Sequence, residues 1–318
     1  MSVAYGSDPS VSIVIISFNT AKLLSKCIDS VINSFGHIFF ELIIVDNASS
    51  DGSVEAVEAL EDARISIIKN SENLGFAAAN NQAFHTAQGK YVLLLNSDAL
   101  VEGGSLETLI TFMDDHPRAA AAGPKILNVD GTLQNKGFCF PSIAGAMLFL
   151  AGIEKLIGAK TLNRLFPRFY WDENQTTEVD FLHGCCMLIR RDAIEAIGVF
   201  TEDYFMYFEE QDWCYRARKL GCQIWYQPAA TAIHYGAASP LDNRSEVFNR
   251  SMLIFYRRNI GTARGLLITA LQIGAACISL VRATIAPRNE KDLDAIRSYL
   301  SQRMGLFRGL IGSGKAAS

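Results

Sequence analysis

Tyr91-Val92-Leu93-Leu94-Leu95-Asn96-Ser97-Asp98 sets five apolar residues in an unbroken row and ends them on an amide, a hydroxyl and a carboxylate. An apolar run without alternation is a strand buried on both faces, the kind found in parallel sheets covered by helices. The polar triplet therefore falls at a strand's carboxyl end, where open α/β sheets leave their ligand crevice. A carboxylate there can hold a divalent cation against a substrate phosphate; the plainer reading of Asn-Ser-Asp is a turn or a helix cap.

Upstream the same grammar repeats three times. Val11 to Ser17 is a buried strand closed by Phe18-Asn19-Thr20, with Asn19 or Thr20 placed to cap an amphipathic helix from Ala21 to Asn33. Glu41 to Val45 runs into Asp46-Asn47-Ala48-Ser49-Ser50-Asp51-Gly52-Ser53, a turn rich in groups able to meet a ribose or base. Ile65 to Lys69 leads to Asn73-Leu74-Gly75-Phe76, where glycine permits a tight turn into a small-residue helix through Asn80 and Asn81 whose amide end faces the crevice. Three strand-helix units and a fourth strand make a right-handed, doubly wound half-sheet. The first strand is followed by neither GxGxxG nor a Walker A lysine loop, which argues against a dinucleotide oxidoreductase and a P-loop NTPase.

Downstream, a helix is expected over Leu106 to Asp115, strands over Ala119 to Pro124 and Lys125 to Asn128, and a hairpin turn at Asp130-Gly131. Phe138 to Tyr170 reads as an irregular excursion, with an apolar stretch from Ile143 to Ile153 too short to span a bilayer. Val179 to Arg190 reads as a strand with Gly184 inside it, and Ile224 to Tyr226 and Ala232 to His234 as edge strands. Between them, Phe205-Met206-Tyr207-Phe208-Glu209-Glu210-Gln211-Asp212 puts three carboxylates at a helix N-terminus. The dipole favours anions there, so capping is the bland explanation. A carboxylate turned into a pocket of Tyr207, Phe208 and Trp213 would instead have a raised pKa, which suits a general base. His234, alone past a strand, is by itself an ordinary structural histidine.

Composition sets limits on these readings. The 318 residues suffice for one large α/β domain with an appendage, and the chain is apolar, with 49% hydrophobic residues and a mean hydropathy of +0.15. Residues 1–235 carry 17 Lys/Arg against 28 Asp/Glu, whereas residues 236–318 carry 12 against 5, so a body of charge −11 precedes a tail of +7. Arg244, Arg250, Arg257 and Arg258 precede the 17 residues Gly265 to Val281, which Arg264 and Arg282 flank. That stretch falls short of a clear membrane span and suits a helix lying in a membrane interface; the alternative is a packed helical hairpin or a dimer contact. Nucleic acid is not expected as a partner. Seven cysteines without CxxC spacing read as reduced, buried thiols in a cytoplasmic protein, and His183 with Cys185 and Cys186 lacks a second ligand pair for zinc. The N-terminus carries no signal-peptide pattern.

Taken in order, these motifs resemble the inverting nucleotide-sugar glycosyltransferases of family 2, of the GT-A fold, and most of all the bacterial rhamnosyltransferase-type enzymes of cell-surface polysaccharide synthesis. The likeness covers about residues 10–240, with a weaker one at Phe255-Tyr256-Arg257-Arg258-Asn259, and leaves 241–318 as a basic, apolar helical region. It implies an α/β fold with a mixed, mainly parallel sheet flanked by helices and a C-terminal helical extension. It also implies a nucleotide-sugar site built from Ser17, Asn19, Asp46, Asn47, Asp51, Asn73, Gly75, Phe76, Asn80, Asn96 and Ser97, with Asp46 on the base or ribose. Asn96-Ser97-Asp98 stands where the family has its DxD triplet, so Asp98 would hold Mg or Mn, with His234 as a further ligand. Glu210 falls at the position of the base, beside Glu209 and Asp212. The chain departs from the pattern twice: the triplet begins with Asn, one charge fewer, and the second acid of the pair is Glu, which leaves Glu209 and Glu210 both open as the base.

The expected activity is metal-dependent, inverting transfer of a sugar, rhamnose from dTDP-rhamnose in the first instance, to a lipid-linked or polysaccharide acceptor. The expected location is the cytoplasm, peripheral on the inner face of the membrane. A sugar-phosphate nucleotidyltransferase would need a glycine-rich basic loop after the first strand, which Phe18-Asn19-Thr20 does not supply. An inactive carbohydrate-binding or scaffold protein on the same fold is the non-enzymatic alternative.

Overall fold

The computed structural model describes residues 9–34, 38–151, 159–167, 169–236, 243–285 and 290–312. In chain order its elements are β1 Val11–Ser17, α1 Ala21–Ser34, β2 Phe40–Asp46, α2 Ser53–Glu58, β3 Ile65–Lys69, α3 Gly75–Thr86, β4 Tyr91–Asn96, β5 Ala99–Val101, α4 Ser105–Asp115, β6 Ala119–Leu127, β7 Leu133–Asn135, α5 Ile143–Ala151, α6 Ala159–Leu165, β8 Thr177–Val179, β9 Cys186–Arg190, α7 Arg191–Ile197, α8 Glu209–Lys219, β10 Gln223–His234, α9 Arg244–Phe255, α10 Thr262–Ile285 and α11 Glu290–Ile311, with a π-helical turn at Tyr256–Ile260. They form two compact units, Met1–Phe138 with Glu173–Asp242, and Cys139–Asp172 with Asn243–Ser318.

The first unit is a mixed sheet of order β3-β2-β1-β4-β9-β6-β10-β5, with β7 added to β6 and β8 to β10. Its parallel half follows from the unbroken apolar strands. Ile13, Ile15, Leu42, Ile44, Leu93 and Leu95 are buried on one face and Val14, Ile43 and Leu94 on the other, each contributing about 1.5–3 kcal/mol on transfer from water. Register then aligns the polar strand ends on one edge, Ser17 opposite Asp46 and Ile16 opposite Asn96. The antiparallel additions bring more groups to that edge. Leu95 pairs with Cys186 of β9, and Ala99 of β5 pairs with His234 of β10, so β9's entry loop and the histidine arrive beside Asn96-Ser97-Asp98.

Several expectations are corrected. Neither Asn19 nor Thr20 caps α1 with its side chain; Asp51 does, accepting the Ala21 N–H at 2.8 Å from the neighbouring loop. The two expected edge strands near His234 are one interior strand, β10, lying between β6 and β5, because the chain passes Pro228 in a register shift between Gln227 and Thr231 and resumes pairing. Gly184 lies in a turn before β9 rather than inside a strand: the Cys185 N–H bonds back to His183 Nδ1 at 3.2 Å and takes the backbone out of the ladder. The stretch expected to be irregular carries helices α5 and α6. Of the seven free thiols, Cys277 is exposed.

In the second unit α10 packs on α5 and α11 through Ala146, Ile268, Ala275, Ala276, Leu306 and Leu310, all buried. Gly265 lets α10 close on the Tyr256 ring and on Leu310 of α11, which an added Cβ would meet at 3.0 and 3.3 Å, and Gly309 lets α11 close on Leu253 of α9, at 2.9 Å. The helix exceeds the 17-residue apolar stretch, and Thr262–Val281 is long and apolar enough to cross a membrane, with 28% of its most apolar window buried.

Candidate active site

At the carboxyl edge of the parallel half, Asp46 accepts the Ser49 N–H on Oδ2 at 2.9 Å, while its Oδ1 is buried without a hydrogen-bond partner. A buried oxygen left so costs about 1–3 kcal/mol, and such a deficit at a ligand crevice marks where a ligand donor can enter. The other residues expected here mostly brace the crevice. Asn19 Oδ1 accepts the Ser50 N–H, Asn47 bonds the Gly75 carbonyl and Asn70, Asn73 Oδ1 accepts the Gly75 N–H, and Asn80 bonds back to the Phe76 carbonyl. Ser17, Thr20 and Ser97 form a buried run of hydroxyls at 3.2 and 2.9 Å.

Asp98 and His234, both nearly buried, face each other with Oδ1 3.2 Å from Nε2. Asn96 Nδ2 lies 3.4 Å from the same Nε2, and Asn96 Oδ1 is buried without a partner. A carboxylate oxygen and an imidazole nitrogen 3.2 Å apart fit neighbouring ligands of a divalent cation whose remaining ligands come from substrate phosphate and water, with the Asn96 amide nitrogen facing the same ring. Among the described residues no group of three His, Cys, Asp or Glu side chains forms a site by itself, which also leaves His183, Cys185 and Cys186 without a zinc cluster. The His183 ring lies tilted against that of His234, ring centres 5.7 Å apart. Burial and the neighbouring His234 push its pKa down to about 4. Its Nδ1 accepts a backbone N–H, so in the neutral ring Nε2 carries the proton.

The third group enters on a loop held in an unusual conformation. Tyr207 and Phe208 have φ of 69° and 72°, consecutive left-handed residues that cost of order 1–3 kcal/mol each and persist because the loop is pinned. Phe205 O accepts the Phe76 N–H at 2.6 Å, over a glycine whose added Cβ would lie 2.3 Å from that oxygen. Helix α8 then begins with Glu209, buried, and Glu210, packed against Gly184. Burial raises both carboxyl pKa values; Glu209 goes well above the ordinary range, with the Glu210 charge adding to the effect. Backbone N–H groups, Gly184's among them, and the Glu209 carboxyl pull Glu210 part of the way back. The two carboxyls titrate as a pair, and the backbone N–H groups on Glu210 favour its ionised form. Asp212 is spent elsewhere: its Oδ2 accepts from Thr201 Oγ1 and Arg216 Nε, both at 3.0 Å.

The His183 to Cys186 turn neighbours both groups: a Cβ on Gly184 would lie 3.7 Å from Glu210 Cγ, and the His183 ring is 5.7 Å from that of His234, which faces Asp98. One residue, Gln134, went unread in the sequence; Gly184 was read, but as part of a strand. Gln134, on β7, bonds His234 Nδ1 at 2.7 Å, and Gly184 lets Glu210 come close. The hairpin turn at Asp130-Gly131 was the available signal for the first.

Comparison with known proteins adds four likenesses. The family described as glycosyl transferase family 2 matches residues 12–198. An N-acetylglucosaminyl-diphospho-decaprenol L-rhamnosyltransferase of Mycobacterium tuberculosis is 29% identical over 218 residues, 62% of this chain and 67% of the relative. A low-salt glycan biosynthesis hexosyltransferase of Haloferax volcanii is 29% identical over 198 residues, 61% of this chain and 58% of the relative. Among solved structures, a mannosyltransferase from Pyrobaculum calidifontis in complex with GDP-Man and Mn2+ superposes with a TM-score of 0.58 at 17% identity, covering 99% of this chain and 89% of that one, a likeness of GT-A fold.

Proposed function

Since this chain belongs to glycosyl transferase family 2 and is a glycosyltransferase, we propose that it transfers rhamnose from dTDP-rhamnose, with inversion, to a lipid-linked or polysaccharide acceptor in cell-surface glycan synthesis, using Mg or Mn. The observation that carries this reading is that the Asp98–His234 pair and Glu210 both border the His183 to Cys186 turn, the first through His183 and the second through Gly184. Single displacement at an anomeric carbon needs a base for the incoming hydroxyl and neutralisation of the departing diphosphate. Glu210 takes the acceptor's proton, while Glu209, protonated and buried behind it, keeps a second negative charge out of the pocket. Asp46 accepts from the base or ribose of the nucleotide through Oδ1, the oxygen without a protein partner. Asp98 and His234 would hold the cation, which when bound supplies Lewis acidity to the leaving group. The mycobacterial relative's name, a rhamnosyltransferase acting on a prenyl-diphosphate sugar, supports both donor and acceptor.

The second unit supports a place on the inner membrane face. Leu267, Ile278 and Val281 of α10 and Met147 and Phe149 of α5 are exposed apolar side chains, and Arg257, Arg258 and Arg264 lie close in sequence to α10's start. An apolar face with nearby cations suits an anionic interface, where a lipid-linked acceptor resides.

The deciding experiment incubates the purified chain with a panel of nucleotide sugars, a prenyl-diphosphate-linked amino sugar, and Mn, Mg or EDTA. Consumption of dTDP-rhamnose with an inverted product, abolished by EDTA, is expected. Retention of configuration, EDTA-insensitive transfer or selection of another donor would each overturn the corresponding part of the proposal.

A further inference from the structure

The hairpin joining β6 to β7 carries a chain of hydrogen bonds whose direction is determined at every link. The Asp130 carboxylate only accepts, and Thr132 Oγ1 lies 2.6 Å from its Oδ1, so the threonine's one proton goes there. Thr132 Oγ1 is then an acceptor for Asn128 Nδ2 at 2.9 Å, which orients the Asn128 amide with its oxygen toward Gln134. Gln134 Nε2 donates to that oxygen and to the backbone carbonyl of His234, both at 2.9 Å. With the amide so fixed, Gln134 Oε1 faces His234 Nδ1 at 2.7 Å, and Nδ1 must carry a proton. In the neutral ring Nε2 is left bare, turned to Asp98 and Asn96.

We propose that Gln134 is the positioning residue of the site histidine: with Asn128 and Thr132 it holds His234 as the Nδ1–H tautomer, presenting the Nε2 lone pair to the cation position beside Asp98. The inference rests on the reading of Asp98 and His234 as cation ligands and adds to it the element that prepares one of them. A ligating imidazole needs its other nitrogen tied to an acceptor, since otherwise the ring spends part of its time with a proton where the metal should bind. Gln134 bonds His234 at both the ring and the backbone carbonyl, so the ring's orientation is referred to β10 itself. Gln134 is exposed and its bonds compete with water, which puts the expected effect at the low end of that for outer partners of metal ligands, about tenfold in metal affinity.

The test uses the full chain with 15N-labelled histidine and three forms, wild type, Gln134→Leu and Gln134→Glu. Long-range 1H–15N spectra are recorded about two pH units above the ordinary imidazole value, with His234 assigned by its disappearance in His234→Asn. Wild type and Gln134→Glu, which keeps an acceptor at Nδ1, should show Nδ1 protonated and Nε2 bare. Gln134→Leu should show a mixture of tautomers and bind Mn(II) alone about tenfold more weakly by electron paramagnetic resonance. Protonation at Nε2 in the wild type, or an unchanged tautomer in Gln134→Leu, would overturn the inference. Absence of Mn(II) binding by the wild type would sink the cation reading instead, and the tautomer spectra would still decide the role of Gln134.

Discussion

The Phe76 N–H donates to the Phe205 carbonyl at 2.6 Å, so the first turn of α3 is tied to the loop that leads into Glu209 and Glu210, the proposed base and its partner. Gly75 allows this approach, with φ of +83° and no Cβ where Phe205 O would be 2.3 Å away. Gly75→Ala should displace the Tyr207-Phe208 turn. Displacement on the scale of 1 Å at a reacting group costs about 100-fold in turnover, and left-handed strain costs about 1–3 kcal/mol of stability. Turnover and thermal melting check both, and a fully active, equally stable variant would show that the loop is not positioned through this contact.

The roles proposed for Glu209 and Glu210 are separable by substitution. Glu210→Gln should lose about 100- to 10,000-fold in kcat with the nucleotide-sugar affinity preserved, as removal of a general base does. Glu209→Gln should keep most of the activity, because the proposal makes Glu209 the protonated member of the pair. Loss of activity in the second variant alone would exchange the assignments.

The same pair makes stability depend on pH in a defined sense. Both folded-state pKa values lie above the unfolded carboxyl value, so the native state binds more protons, and stability falls as pH rises from the ordinary carboxylate range through the raised values. Denaturant melts from pH 5 to about 9 should show this decline in wild type and a smaller one in Glu209→Gln. The acid limb of kcat/KM should likewise lie above the ordinary carboxylate range, since Glu210 must be ionised to act. An equal decline in both proteins would place the titration elsewhere.

Asp212 reads as a third catalytic acid by spacing, but it is fully buried and paired with Arg216, which also bonds the carbonyls of Ile197 and Val199. Breaking one side of a buried pair costs about 3–5 kcal/mol. Asp212→Asn should therefore lower the melting temperature strongly while kcat, measured well below it, changes by less than about tenfold. A stable variant with kcat reduced more than 100-fold would return Asp212 to the chemistry.

What could be read in advance follows from what is local. Strands buried on both faces announce themselves by unbroken apolar runs, so β1, β2 and β4 and the polar ends that line the crevice were legible. Pairings across long separations were not: β10 hides its continuity behind Pro228, and the contact of His234 with Asp98 is made by β5–β10 register alone. Gln134 is a surface polar residue 100 positions from the histidine it holds, with no periodicity to betray it. Asp212 was different, since Arg216 four residues on is a helical ion-pair spacing visible in the sequence, and that signal outweighs proximity to Glu210.

Helix α10 presents apolar side chains away from α5 and α11, and this face is where membrane attachment should be tested. Removing everything after about residue 260 would strip α5 of its packing partners, so substitutions on the exposed face are the cleaner probe. Ile278 and Val281, 41% and 59% exposed, can accept charge without disturbing the core of the second unit. Each buried aliphatic side chain contributes about 1.5–3 kcal/mol on leaving water, so Ile278→Glu with Val281→Glu should reduce co-sedimentation with phosphatidylglycerol-rich vesicles by well over tenfold while the melting temperature stays within a few degrees. Raising salt should weaken the wild type further, by screening the arginines near the start of α10. Unchanged vesicle binding in the double variant would remove this face from the attachment and leave dimerisation or internal packing as its use.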